Sequence, residues 1–125
     1  MDTAPFEPDQ PSPLPPFDGP LIRQRMQECL LQQPFYDCTW GSCRYVLNTT
    51  TQRLTIVNVV GRVPELAERF LQVTLEVLCT IADQRRWRIV SPILTQPEVG
   101  IYRSYGFRPI AGPYGRYTRK PQAQR

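Results

Sequence analysis

Leu21, Ile22, Met26, Cys29 and Leu30 recur at three- and four-residue steps in "PLIRQRMQECLLQQP". That spacing gives one apolar face and predicts a helix, opened by Asp18-Gly19-Pro20 and closed by Pro34. The next two stretches, "FYDCTWGSCRYVLN" and "QRLTIVNVV", are rich in aromatic and β-branched residues and predict two strands. "TTTQ" reads as the hairpin loop between them, so the pair should be antiparallel, with Gly41 marking a bulge in the first strand. In "VPELAERFLQVTLEVLCTIADQRRW", Leu66, Phe70, Val73, Val77 and Ile81 form one apolar line, joined by Ala67, Leu71, Leu78 and Ala82. Glu68, Gln72, Glu76 and Asp83 fall on the face expected to meet water. Pro64 suits the first position of this long helix, and Glu65 and Glu68 suit its positive end.

"RWRIVSPIL" predicts a buried strand. A short helix then runs from Pro97 to about Tyr105 and stops at Gly106, a residue suited to the left-handed position after a helix. "FRPIAGPYGRYTR" predicts one or two short strands around Gly112 and Pro113. The expected fold is α/β (α+β): a mixed, mainly antiparallel sheet with one long and two shorter helices.

Composition changes the picture at the two ends. The first twenty residues hold seven prolines and four acids. Proline fixes φ and removes a donor, so neither helix nor central strand is expected there. The domain expectation is a disordered proline-rich arm over 1–19, one domain over 20–118 and a flexible basic tail over 119–125. Phe6 and Phe17 are candidate anchors for a partner on the arm. The 125 residues suffice for one modest core, and a 41% apolar content describes a folded chain. No secretory signal and no apolar run of membrane-spanning length is read, which predicts a soluble, cytoplasmic protein.

The net charge of +4 is unevenly placed. Residues 1–84 carry ten acids and six bases, whereas residues 85–125 carry nine bases and only Glu98 as an acid. Phosphates or an acidic protein could meet such an end, and a solvated tail is the simpler reading from Arg119 onward. No nucleic-acid motif accompanies the charge, so nucleic acid is not expected as a partner. Four cysteines and no histidine leave little metal or nucleophile chemistry. Cys38 and Cys43 have the spacing of half a zinc site, but Cys29 and Cys79 stand apart, so no metal is expected. Without histidine, Ser-His and Cys-His pairs are excluded.

The element order from Phe35 onward, ending in "YRSYGF", resembles the carboxyl-terminal half of the GNAT family of acyl-CoA-dependent N-acyltransferases. The resemblance covers roughly residues 52–112, with Tyr102, Gly106 and Phe107 in the register of the family's Y-x-x-x-G-F pattern. It implies a GNAT-like sheet and a reaction in which an amine attacks a thioester, an oxyanion forms and a thiolate leaves. By similarity Tyr102 is the acid that protonates the thiolate. The main chain of Asn58, Val59 and Val60 is the support for the pantetheine arm, at the place where two strands splay and free amides can meet an oxyanion.

The sequence departs from the family at the start of the long helix. The family has Q/R-x-x-G-x-G/A there, whose glycines let backbone amides approach a diphosphate. "PELAERFLQ" replaces them with larger side chains, Pro64 supplies no N–H, and Glu65 and Glu68 repel an anion. Gly61 and Arg62 are candidate substitute phosphate contacts, and the Leu66 amide is the nearest helix-start donor. The front half is also short, with one helix and the arm before the hairpin. The expected function is thus a non-catalytic or degenerate GNAT-like module that binds or regulates, with no cofactor. The alternative is an active N-acyltransferase using acyl-CoA. A sheet edge or the arm could take a second copy of the chain or another protein.

Overall fold

The computed structural model describes residues 16–110 and 115–122. Helix α1 spans Gly19–Leu30. Its N-cap is Asp18, whose Oδ1 accepts the Leu21 amide at 3.1 Å, satisfying one of the donors that a helix start leaves free. Ile22, Met26 and Leu30 bury its apolar face. Phe17, just upstream, lies edge-on to Trp40 with the Arg69 guanidinium 4.6 Å from its ring centre. Phe6 lies outside the described residues.

Three strands follow: β1 (Phe35–Cys38), β2 (Gly41–Asn48) and β3 (Arg53–Gly61). The single bulged strand expected over 35–48 is instead two strands joined at Thr39-Trp40, with Cys38 opposite Gly41. Gly41 is needed for close approach. A Cβ there would stand 2.3 Å from the Val60 carbonyl oxygen and 2.7 Å from the Phe70 ring. The bulge lies one strand later. Tyr45 pairs with Ile56 and Arg44 with Asn58, which leaves Val57 as the extra residue. The Thr49–Gln52 loop joins β2 and β3 as an antiparallel pair, as its sequence predicts, and Asn48 Oδ1 closes it by accepting the Thr51 amide.

A single 3₁₀ turn, Pro64–Leu66, leads into the long helix α2, Ala67–Arg85. Phe70, Val77, Leu78, Ile81 and Ala82 of the predicted apolar face are all but inaccessible, Leu66 and Ala67 are half-buried, and burial extends beyond that face to Thr74, Leu75 and Cys79. Truncating Phe70 to Ala would cost about 3–5 kcal/mol by lost transfer energy and cavity formation. The helix ends at Arg86 in the left-handed conformation, and the Trp87 amide bonds back to the Ala82 carbonyl at 2.8 Å. Strand β4 (Arg88–Val90), helix α3 (Gln96–Ser104) and strands β5 (Arg108–Pro109) and β6 (Tyr117–Arg119) complete the chain. Gly106, at φ 93°, stops α3 where its sequence predicts. Gly112 and Pro113 lie outside the described residues.

The six strands form one mixed sheet in the order β1-β2-β3-β4-β6-β5, antiparallel except where β3 meets β4. The fold is α+β, with a mostly antiparallel sheet, one long helix and two shorter ones. Cys43, Tyr45, Leu54, Ile56 and Ile89 face the helices, whereas Arg44, Val46, Arg53 and Val57 are exposed. Alternation along β2 and the first half of β3 thus produces one packed face, the pattern of an antiparallel sheet covered on one side.

Two expectations about charge are overturned. Asp83 does not face water, and Arg119 is not in a solvated tail. Arg119 lies in β6, is only 5% exposed, and pairs with Asp83 through two hydrogen bonds of 2.8 and 3.1 Å. Strand β6 places its side chain under α2, where only an anion can compensate a buried guanidinium. None of the described helices is long and apolar enough to cross a membrane.

Candidate functional site

Strands β3 and β4 are paired only over Arg53–Thr55 and Arg88–Val90. Residues 56–61 of β3 therefore run on without β4 beside them, and a cleft of about 260 Å³ opens between the end of β3, the first turns of α2 and the first turns of α3. Val59 and Gly61 line it from β3, Ala67, Glu68 and Leu71 from α2, and Pro97, Glu98 and Ile101 from α3.

Gly61 sets how closely α2 approaches the strand. A Cβ at this position would lie 2.5 Å from both the Cα and the Cβ of Ala67, so the helix start rests directly on the bare glycine. Two of the amides at this end are already occupied. The Leu66 N–H donates to the Val63 carbonyl at 2.9 Å, the Ala67 N–H donates to the Pro64 carbonyl, and proline has no N–H to offer.

Glu98 is held in place by its own helix start. Its Oε1 accepts from the Thr95 amide at 2.8 Å and from the Thr95 hydroxyl at 2.9 Å, a capping box that fixes the carboxylate at the cleft wall. The signal for it was present in "TQPE", with Thr and Glu three residues apart, although Pro97 alone reads more strongly as a helix start. Glu68, on the first turn of α2, is exposed and supplies the second carboxylate.

The residues implicated by sequence are brought together only in part. Val59 and Gly61 line the cleft. Asn58 and Val60 lie on the same strand, opposite Arg44 and Ser42 of β2, and both are exposed. Leu66 packs against the core and does not line the cleft. Arg62 turns the other way. It forms an ion pair with Asp37, and its guanidinium also bonds to the Cys38 and Gly41 carbonyls at the β1–β2 turn. Ala67, Glu68, Leu71, Pro97, Glu98 and Ile101 complete the lining, and the folding of α3 against α2 is what gathers them.

Tyr102 follows Glu98 by one turn of α3 and is fully buried. Its ring meets that of Phe107 edge-on at 5.0 Å, so Tyr102 and Phe107 of the "YRSYGF" stretch serve as core. The phenol Oη has no hydrogen-bond partner among the described residues. Burial, reinforced by the negative charge of Glu98, pushes its pKa above the ordinary tyrosine range. The phenol is thus held neutral at physiological pH. Cys43 and Cys79 are also raised by burial, each to about 12, and are poor metal ligands or nucleophiles. Among the described residues no group of three His, Cys, Asp or Glu side chains is placed to hold a metal.

The diphosphate of coenzyme A fits this cleft poorly. Among the described residues no arginine or lysine lines it, the two helix-start amides named above are engaged, and two carboxylates belong to its lining. Each carboxylate about 4 Å from a phosphate charge would cost roughly 1–4 kcal/mol, and each 1.4 kcal/mol is about tenfold in affinity. No protein-family model matches the chain, and no curated protein or solved structure matches it either.

Proposed function

We propose that the chain is a GNAT-like scaffold that has lost the cofactor chemistry of the N-acyltransferases and works as a non-catalytic binding or regulatory module. The GNAT-like reading is supported by the short parallel pairing of β3 with β4, the long helix between them and the short helix ending at Gly106. The loss of catalysis rests on one observation above the others. The cleft at the splay of β3 and β4 carries Glu68 and Glu98 where a diphosphate needs positive charge. Arg62 and Arg69, the cations nearest in sequence, are committed to Asp37 and to the Phe17 ring.

The reading as an active N-acyltransferase has one observation in its favour, the unpartnered Oη of Tyr102. Against it, the phenol is enclosed and cannot reach a ligand in this conformation. The test is a titration of the full chain with acetyl-CoA, followed by amide shift mapping. No saturable binding is expected at millimolar ligand. Saturation with shifts at Val59, Gly61 and Leu66, together with slower turnover in Tyr102→Phe, would establish the enzyme instead.

A further inference from the structure

The sheet face turned away from the helices is basic. Arg44, Arg53, Arg88 and Arg108 each alternate with a buried neighbour and stand exposed on it. Arg53 lies directly beside Arg88 in the β3–β4 register, and like charges side by side across a sheet are destabilising. Arg108 and Lys120 line one hollow of about 350 Å³ with Thr118 between them. Among the described residues none of these five cations is in an ion pair. The only acid on the six strands is Asp37, and Arg62 already holds it. Phe35, opposite Arg44, and Val46 add exposed apolar surface to the same face. Such a face calls for an occupant that is acidic and partly apolar.

We propose that the occupant is the chain's own first fifteen residues, docked across the outer face of the sheet. Residues 1–15 hold Asp2, Glu7 and Asp9, the apolar Phe6 and Leu14, and no lysine or arginine. Their five prolines lack the N–H groups that a strand added at a sheet edge would need, which favours the face over the β1 edge. The described chain starts at Pro16, beside Thr39 and Trp40 of the β1–β2 turn, and the Phe17 ring is held edge-on to Trp40. From β1 to β5 the six strands leave five spacings, about 24 Å at roughly 4.8 Å each. At about 3.1 Å per residue in an extended proline-rich chain, fifteen residues reach about 46 Å, enough to cross the face. The tether also sets an effective concentration on the order of millimolar, an advantage over any free acidic peptide. Whether the cleft accepts coenzyme A has no bearing on this contact.

Lys120 is the only lysine of the chain, so zero-length cross-linking of the full chain reads the contact directly. A carbodiimide activates a carboxylate, the Lys120 amine attacks it to form an amide, and the activated oxygen leaves as a urea. Peptide mapping of the monomer should find Lys120 joined to Asp2, Glu7 or Asp9, and added salt should suppress the product. The second measurement compares amide shifts of the labelled full chain with those of a variant carrying Asp2→Asn, Glu7→Gln and Asp9→Asn. Arg44, Arg53, Arg88 and Thr118 should shift, whereas Val59 and Ala67 in the cleft should not.

Lys120 joined only to acids beyond residue 15, or outer-face amides that stay in place in the neutralised variant, overturns the proposal. Cross-links found only between labelled and unlabelled chains overturn it too and assign the face to a second copy. A short oligothymidylate separates the remaining occupant. Equal affinity for the native chain and the neutralised variant would show the cations uncovered and sink the proposal, whereas tighter binding to the variant supports it.

Discussion

Arg119 and Asp83, thirty-six positions apart, meet as a two-pronged pair that fastens β6 to α2, with Nη1–Oδ1 at 2.8 Å and Nη2–Oδ2 at 3.1 Å. The Arg119 Nε donates to the Tyr105 carbonyl at 2.6 Å, and the Gln122 amide donates to Asp83 Oδ1 at 2.9 Å. One buried guanidinium therefore ties the last strand, the long helix and the end of α3 together. The two helices it joins also carry cleft walls at their other ends, Leu71 on α2 and Ile101 on α3.

Removing the anion should be costly. Asp83→Ala leaves the Arg119 charge buried without a counter-ion, and breaking a buried pair in this way costs about 3–5 kcal/mol. Urea unfolding should show it as a lower midpoint. Asp83→Ala combined with Arg119→Leu should recover part of the loss, because the stranded charge is gone. Equal and additive losses in the two single variants would show that the pair is not coupled.

The same pair sets an acid limit. Burial alone would raise the Asp83 pKa, but the Arg119 hydrogen bonds, the Gln122 amide and the nearby positive charges outweigh it and lower the value below the ordinary aspartate range. The unfolded chain thus binds the proton more tightly than the folded one. The stabilisation is present above the unfolded value, about 3.9, and is lost as the pH falls through the depressed folded value. Acid unfolding of Asp83→Asn should lack this contribution to the pH slope. An unchanged slope would remove Asp83 from the account.

The thiols should divide into two classes. Cys43 and Cys79 are buried, and burial raises both to about 12, whereas Cys29 and Cys38 are partly exposed. At pH 8 a thiol of pKa 12 is thiolate for only about 1 part in 10⁴, against roughly a quarter for an ordinary thiol of pKa near 8.5. Timed alkylation of the native chain with mass-spectrometric mapping should label Cys29 and Cys38 first. Early labelling of Cys79 would mean that α2 separates from the sheet far more often than its packing implies.

What could be read from the sequence follows the range of the interactions. The period of Phe70, Val73, Val77 and Ile81 announces α2 because each residue's neighbours lie within one or two turns. Gly106 announces the end of α3 through its own backbone freedom. The β1–β2 turn escapes because Thr39 and Trp40 both keep negative φ, so it lacks the Asn-Gly or Gly-X chemistry that marks the commonest hairpins. Trp40 is held there by packing against Phe17. Asp83 reads as a solvent-facing helix residue because its partner arrives from the last strand, where no local pattern points to it. Within the cleft, the resemblance draws attention to Val59 and the departure from it to Gly61, whereas Glu98 is not singled out, although its spacing from Thr95 is that of a capping box. That Glu68 and Glu98 share one cleft depends on how α3 packs against α2, a tertiary fact.

Tyr102 offers the sharpest contrast between a core residue and a catalytic one. Its ring fills the interior against Phe107, while its hydroxyl is buried without a partner among the described residues. Leaving a buried hydroxyl unsatisfied costs about 1–3 kcal/mol, so Tyr102→Phe should be neutral or stabilise the fold by about 1 kcal/mol. The melting temperature should stay or rise by a few degrees. Tyr102→Ala, which empties the site, should cost about 3–5 kcal/mol as aromatic truncations in cores do. If Tyr102→Phe instead lowers stability by more than about 1 kcal/mol, the hydroxyl has a bonded partner and the core account of this residue fails. A phenol kept for proton transfer would add a second effect to the same variant, with stability preserved or improved and transfer to an amine slowed. Measuring melting and acetyl transfer on Tyr102→Phe separates the two roles.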